Sequence, residues 1–189
     1  GGEWGTTPEL YDLEIGLYDQ ARGERLAVHN AAGQRVEFPT PTQVRIAPKR
    51  PVAASPQHPL DYRLGEEIAL IGYDLSGPLQ SGTSLTVTLY WRAEMPPRGN
   101  YTVFVHLLDE DGQQVTQHDG VPRYGRYPTP AWHAGDVVPD EHVLDIPEVL
   151  PGGRFTLAVG MYRWETLERL PVTGPEGAFP ERLILLPVP

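Results

Sequence analysis

The stretch LTVTLYWRA, residues 85–93, decides the fold. Leu85, Val87, Leu89 and Trp91 fall on one face of an extended chain, and Thr86, Thr88, Tyr90 and Arg92 on the other. Period-two alternation of β-branched and aromatic residues is the pattern of a half-buried strand. It lies in the run Thr83–Met95, which holds no glycine or proline; Asn100–Asp111 is the next such run. There Val103, Val105 and Leu107 share one face, and Thr102, Phe104, His106 and Leu108 the other.

Working outward, the same pattern predicts strands near Leu10–Tyr18, Gln43–Ile46, Glu67–Tyr73, Gln114–Gln117, His142–Ile146, Arg154–Tyr162 and Arg182–Leu186. Turn chemistry separates several of them: Asp111-Gly112, Asp119-Gly120, Pro151-Gly152-Gly153 and Gly174-Pro175. Trp164–Arg169 is the one helix-compatible run and is a single turn long. Many short strands between turns predict an all-β fold, an antiparallel β-sandwich of immunoglobulin-like or jelly-roll-like kind.

Near its two ends the chain repeats itself at an offset of 144 residues. Tyr11–Tyr18 (YDLEIGLY) matches Phe155–Tyr162 (FTLAVGMY), Glu24-Arg25-Leu26 meets Glu168-Arg169-Leu170, Val28 meets Val172, and Gly33 meets Gly177. Allowing a loop about five residues shorter in the second copy, Val44–Pro48 meets Leu183–Pro187. The ordered set predicts a duplication. The expected organisation is therefore the C-terminal strands of a preceding repeat unit (1–48), a proline-rich linker (49–59) stiffened by extended geometry, and one complete sandwich unit (60–189). A few strands with one apolar face do not hold together alone in water, so the half-unit is expected to pack on the complete one or to take strands from a neighbouring chain.

The chain has 189 residues, with 20 glycines, 21 prolines and no cysteine. This composition excludes a coiled coil, a disulfide scaffold, a thiolate metal site and a cysteine nucleophile. The net charge is −10, and Lys49 is the only lysine. No concentrated basic patch suits nucleic acid or anionic lipid. No run approaches ~18 uninterrupted apolar residues, so no membrane-spanning segment is expected. No signal peptide is evident, and the first residue is Gly. A chain processed, tagged or cut from something larger is expected.

Chemistry-bearing motifs are sparse. Asp109-Glu-Asp-Gly112 opens like a calcium loop, but Gln114 and Gly120 stand where the EF-hand needs Gly and Glu, so a hairpin turn is expected. His106, His118, His133 and His142 sit among carboxylates, yet no close HxH or HxxxH pair sets up a metal. Neither cofactor nor metal is expected. No GxSxG elbow, Walker loop, GxGxxG or HExxH occurs. Asn100-Tyr101-Thr102 fits a glycosylation sequon, which matters only in a eukaryotic secretory context. Tyr124, Tyr127 and Trp132 lie in a proline-broken stretch, Val121–Gly135, next to His118 and Asp119. Exposed loop aromatics can stack on the C–H faces of sugars, so these five residues are the candidate carbohydrate contacts. The competing expectation is that Trp132 plugs one end of the sandwich.

LTVTLYWRA (85–93), YTVFVHLLDEDGQQVTQHDG (101–120), YPTPAWHAGDVVPDEHVLDI (127–146) and FTLAVGMYRWETLERLPV (155–172), in that order, resemble the extracytoplasmic β-sandwich tail of Chloroflexi-type membrane proteins of glycosyltransferase family 39, the dolichyl-phosphate-mannose–protein mannosyltransferase-like group. The resemblance covers residues 60–189, with 10–48 as a partial second copy. It implies an extracytoplasmic, cell-surface location and proximity to glycans. It carries over no catalytic residue, because transfer chemistry in such proteins belongs to their membrane portion. Three functions are thus expected in order: a non-catalytic spacer or assembly module acting through adjacent repeats or other copies of itself, possible strand exchange included; a carbohydrate-binding module; and, last, a hydrolase with an unmarked carboxylate pair.

Overall fold

The computed structural model describes residues 8–37, 39, 42–47 and 54–188. Pro48 and residues 49–53 of the expected linker lie outside the described residues. The strands are β1 (Glu9–Leu13), β2 (Tyr18–Asp19), β3 (Glu24–Arg25), β4 (Val28–His29), β5 (Arg35–Val36), β6 (Thr42–Ile46), β7 (His58–Leu64), β8 (Ile68–Leu75), β9 (Ser84–Ala93), β10 (Tyr101–Leu108), β11 (Gln114–Gly120), β12 (Val137–Asp145), β13 (Thr156–Arg163), β14 (Val172–Gly174), β15 (Gly177–Phe179) and β16 (Ile184–Pro187). Two 3-10 turns, Pro122–Gly125 and Thr129–Ala131, interrupt the stretch between β11 and β12.

Two antiparallel sheets form the sandwich. One has four strands in the order β11-β10-β13-β16, the other six in the order β12-β9-β8-β7-β14-β15. The alternation at 85–93 governs the packing: Leu85, Val87, Leu89 and Trp91 are buried in one core with Val103, Val105 and Leu107 of the facing sheet. Burying side chains of this size contributes about 1.5–3 kcal/mol each, so the two alternating strands anchor the core. Asp109–Gly112 is the β10–β11 turn, with the Gly112 amide on the Asp109 carbonyl at 3.1 Å and φ +75° at Gly112.

Some boundaries differ from expectation. β12 starts at Val137, five residues ahead of the predicted strand, because its inward Val138 and Asp140 pair across β9. β7 begins at His58, inside the predicted linker, where Pro59 is tolerated at the strand's start. Trp164–Thr166 forms a turn rather than a helix.

Residues 8–47 form three two-stranded pairs, β1-β6, β2-β3 and β4-β5. Their pairings recur 144 residues later. Tyr18 faces Arg25, and Tyr162 faces Arg169. Leu13 faces Thr42 and Asp12 faces Gln43; Leu157 faces Leu186 and Thr156 faces Pro187. The Leu26 amide bonds the Leu17 carbonyl at 2.8 Å, and Leu170 bonds Met161 at 2.8 Å. Gly23 and Leu167 both take positive φ and both reach back four residues, to Asp19 and Arg163. The β4–β5 pair (Val28 with Val36) and the β14–β15 pair (Val172 with Phe179) differ by one residue in span. The pairing thus sets residues 42–43 against 186–187. It corrects the five-residue shortening inferred from the sequence alone, which had followed the strand-then-proline pattern instead of the ladder.

Candidate functional site

The outer face of the four-stranded sheet carries two adjoining hollows. The first, of about 210 Å³, is lined by Phe104, His106, Asp119, Tyr162, Leu167 and Arg169. The second, of about 380 Å³, runs from Asn100 and Thr102 past Asp119 and Tyr162 to Trp164 and Glu165. Asp119 and Tyr162 belong to both, and the Tyr162 hydroxyl donates to the Asp119 carboxylate at 3.2 Å, forming a low wall between them.

Strand register brings these groups together. On β10, Phe104 sits opposite Asp119 of β11 and Gly160 of β13, while Thr102 sits opposite Tyr162. A Cβ at Gly160 would lie 2.6 Å from the Phe104 ring, so only glycine lets that ring lie flat across the sheet. The Arg169 guanidinium stands over the ring at 4.7 Å from its centroid, a cation–π contact that fixes both. His106 Nε2 lies 2.9 Å from the other Asp119 oxygen. Burial, reinforced by Asp119, raises the Tyr162 pKa, so its hydroxyl stays protonated and a donor. Phe104 is only 1% exposed beneath Arg169, so the hollows present a carboxylate, an imidazole and a phenol, with Trp164, 68% exposed, at one end.

The residues expected as carbohydrate contacts divide. Asp119 is in the site. Tyr124 is exposed, and its ring meets His118 edge-on at 6.1 Å. His118 points between the sheets: its Nδ1 lies 2.8 Å from His142 Nδ1, and His142 Nε2 lies 2.9 Å from Asp140. In the tautomer with the His142 hydrogen on Nε2, that N–H donates to Asp140 and His142 Nδ1 accepts the His118 Nδ1–H. Burial, with His142 adding to it, lowers the His118 pKa.

Tyr127 and Trp132 require a correction. Both are 0% exposed and stack on each other at 6.4 Å, so neither offers a face to a sugar. Trp132 Nε1 donates to the Tyr127 carbonyl at 2.9 Å. The Tyr127 hydroxyl lies 2.6 Å from the Asp136 carboxylate and accepts from Arg45 Nε at 2.7 Å; burial pushes its pKa up. These rings plug the end of the sandwich and form the seat for residues 8–47. There Arg45 also pairs with Asp136 at 2.6 Å, Glu9 pairs with Arg123, and Leu10 rests on the core.

Phe104, His106, Tyr162, Trp164 and Arg169 were not among the expected site residues. The available signal was the second face of β10, where Thr102, Phe104 and His106 alternate with the core residues. Among the described residues, no group of three or more His, Asp or Glu could hold a metal ion, and no helix is long and apolar enough to cross a membrane.

The chain is thus a two-sheet β-sandwich with an open polar–aromatic trough on one sheet. No family model matches it, and no curated protein does. Among solved structures it is similar to the C-terminal domain of Wzt, with 14% identity over 71% of this chain and 82% of that one, at a TM-score of 0.47.

Proposed function

We propose that this chain is a non-catalytic, extracytoplasmic module that binds a saccharide in the trough on its four-stranded sheet. The observation that carries this reading is the exposed Trp164 beside the hydrogen-bonded set Asp119, His106 and Tyr162. Sugars present apolar C–H faces to rings and hydroxyls to carboxylates, and a shallow site with few polar groups suits them. The resemblance to the glycosyltransferase family 39 tail supports a location near glycans, and the exposed Trp164 offers the stacking surface that Tyr127 and Trp132 do not.

Binding to a glycan array, followed by calorimetry on any hit, tests the reading. Trp164→Ala should weaken binding about tenfold or more, the scale of one lost aromatic contact, without changing the fold. A trough that binds no glycan removes the reading.

The second reading, an assembly or spacer module, is favoured by one observation: Tyr11, Leu13, Ile15, Leu17, Tyr18, Val44 and Ile46 are all exposed.

A further inference from the structure

We infer that the apolar face of residues 8–47 is the inner face of a second sandwich, and that it takes the opening strands of a like unit, of the β7–β12 kind, joined in tandem ahead of residue 8. The inference stands apart from the saccharide reading.

Three features of the complete unit specify the occupant. The first is the face. Leu157, Val159 and Met161 are 0% exposed in the core shared with β8 and β9, whereas Leu13, Ile15 and Leu17, their counterparts at the 144-residue offset, are 40%, 53% and 68% exposed. The second is the long edge. β13 pairs with β10 from Thr156 to Arg163, while β1 pairs only with β6 among the described residues. Without that neighbour the strand ends at Leu13, where its counterpart runs eight residues. The third is the short edge: β14 pairs with β7 through Val172–Leu64, while among the described residues β4 pairs only with β5.

One occupant satisfies all three at once: an antiparallel sheet with a β10-like strand for β1, a β7-like strand for β4, and an apolar face for Leu13, Ile15 and Leu17. Another copy of the chain does not supply it, because its own opening strands are already closed by residues 154–188. Chain polarity agrees, since in the complete unit the opening strands enter β13 directly through residues 146–155, and the counterpart entry is Glu9.

The experiment joins residues 54–153 of this chain directly to Leu10 of the full chain, preserving the 144-residue register, and compares this tandem with the 189-residue chain. Amide hydrogen exchange and binding of a hydrophobic dye are read together, with sedimentation. In the 189-residue chain, Asp12–Tyr18 should exchange quickly and the dye should bind. In the tandem, protection there should rise about 100-fold or more, toward that of 156–162, and dye binding should fall. Unchanged exchange in a folded tandem overturns the inference. So does a self-associated 189-residue chain whose Leu13–Leu17 face is already protected. Ile15→Asp in the 189-residue chain decides the case should the tandem not fold: an unchanged melting temperature with reduced dye binding is expected, and a loss of stability means the face is already filled and the inference fails.

Discussion

Residues 154–188 and residues 8–47 carry the same pairings and meet opposite environments. In the first set, Leu157, Val159 and Met161 lie under a six-stranded sheet; in the second, Leu13, Ile15 and Leu17 face outward. The comparison separates what a local sequence can do from what packing must supply. Turns, hairpin register and even the left-handed residue at 23 and 167 form in both. Strand length and burial follow only where a neighbour exists, as expected if hairpins are marginal without a second layer.

The sharpest way to break the comparison is to truncate matched residues. Leu157→Ala should cost about 3 kcal/mol, a side chain lost from a closed core. Leu13→Ala should stay within about 0.5 kcal/mol, the range of surface substitutions. Urea unfolding followed by tryptophan fluorescence measures both. Equal costs would mean that residues 8–47 are packed as tightly as their counterparts.

The matched glycines give the next effect. Gly160→Ala drives a methyl into the Phe104 ring, which is held between the sheet and Arg169, and should cost about 1–3 kcal/mol. Gly16→Ala meets Arg25 at 2.8 Å from Nε, the movable end of a long side chain, and should cost far less. Thermal melts of the two variants compare them directly. Gly160→Ala should also weaken any ligand of the trough, because a displaced Phe104 ring shifts the Arg169 guanidinium that lies over it and lines the hollow.

These pairs also show what the sequence made legible. Period-two alternation at 85–93 and 101–108 placed the core residues correctly, because burial of one face is a local periodic property. The trough was not legible. Phe104, Asp119, Gly160 and Arg169 come from separated segments and meet only through cross-strand register, which alternation leaves open. Tyr127 and Trp132 misled for a related reason: a proline-broken loop looks solvent-facing until the sheets show that it closes their end.

A smaller effect concerns how the two regions are joined. Arg45 is one of the polar ties between them, beside the Glu9–Arg123 pair and the Leu10 amide on the Arg126 carbonyl, and it reaches Tyr127 and Asp136. Arg45→Ala should cost about 1 kcal/mol or somewhat more, the scale of a charge-assisted hydrogen bond with its partner still served by the Tyr127 hydroxyl and the His133 amide. Its distinguishing readout is exchange: amides of 9–13 and 42–46 should lose protection while those of β8 to β13 keep theirs. Loss throughout would mean that residues 8–47 stabilise the whole sandwich.

The smallest effect is confined to the complete unit. His118 is held neutral between the sheets, its pKa lowered first by burial and then by His142. A group whose pKa falls on folding contributes stability that is fully present above its unfolded value, near 6.5, and is lost as pH drops through the folded value. Protonation adds a hydrogen at His118 Nε2 and leaves its Nδ1–H on His142 Nδ1, so the cost is that of charging a ring taken out of water. Stability should therefore decline below about pH 6.5 in the native chain and more shallowly in His118→Gln, read as melting temperature against pH. Because no such histidine pair joins β1 to β6, acid should raise exchange at β11 and β12 before it alters 9–13; the reverse order would place the acid-sensitive group in the docked strands instead.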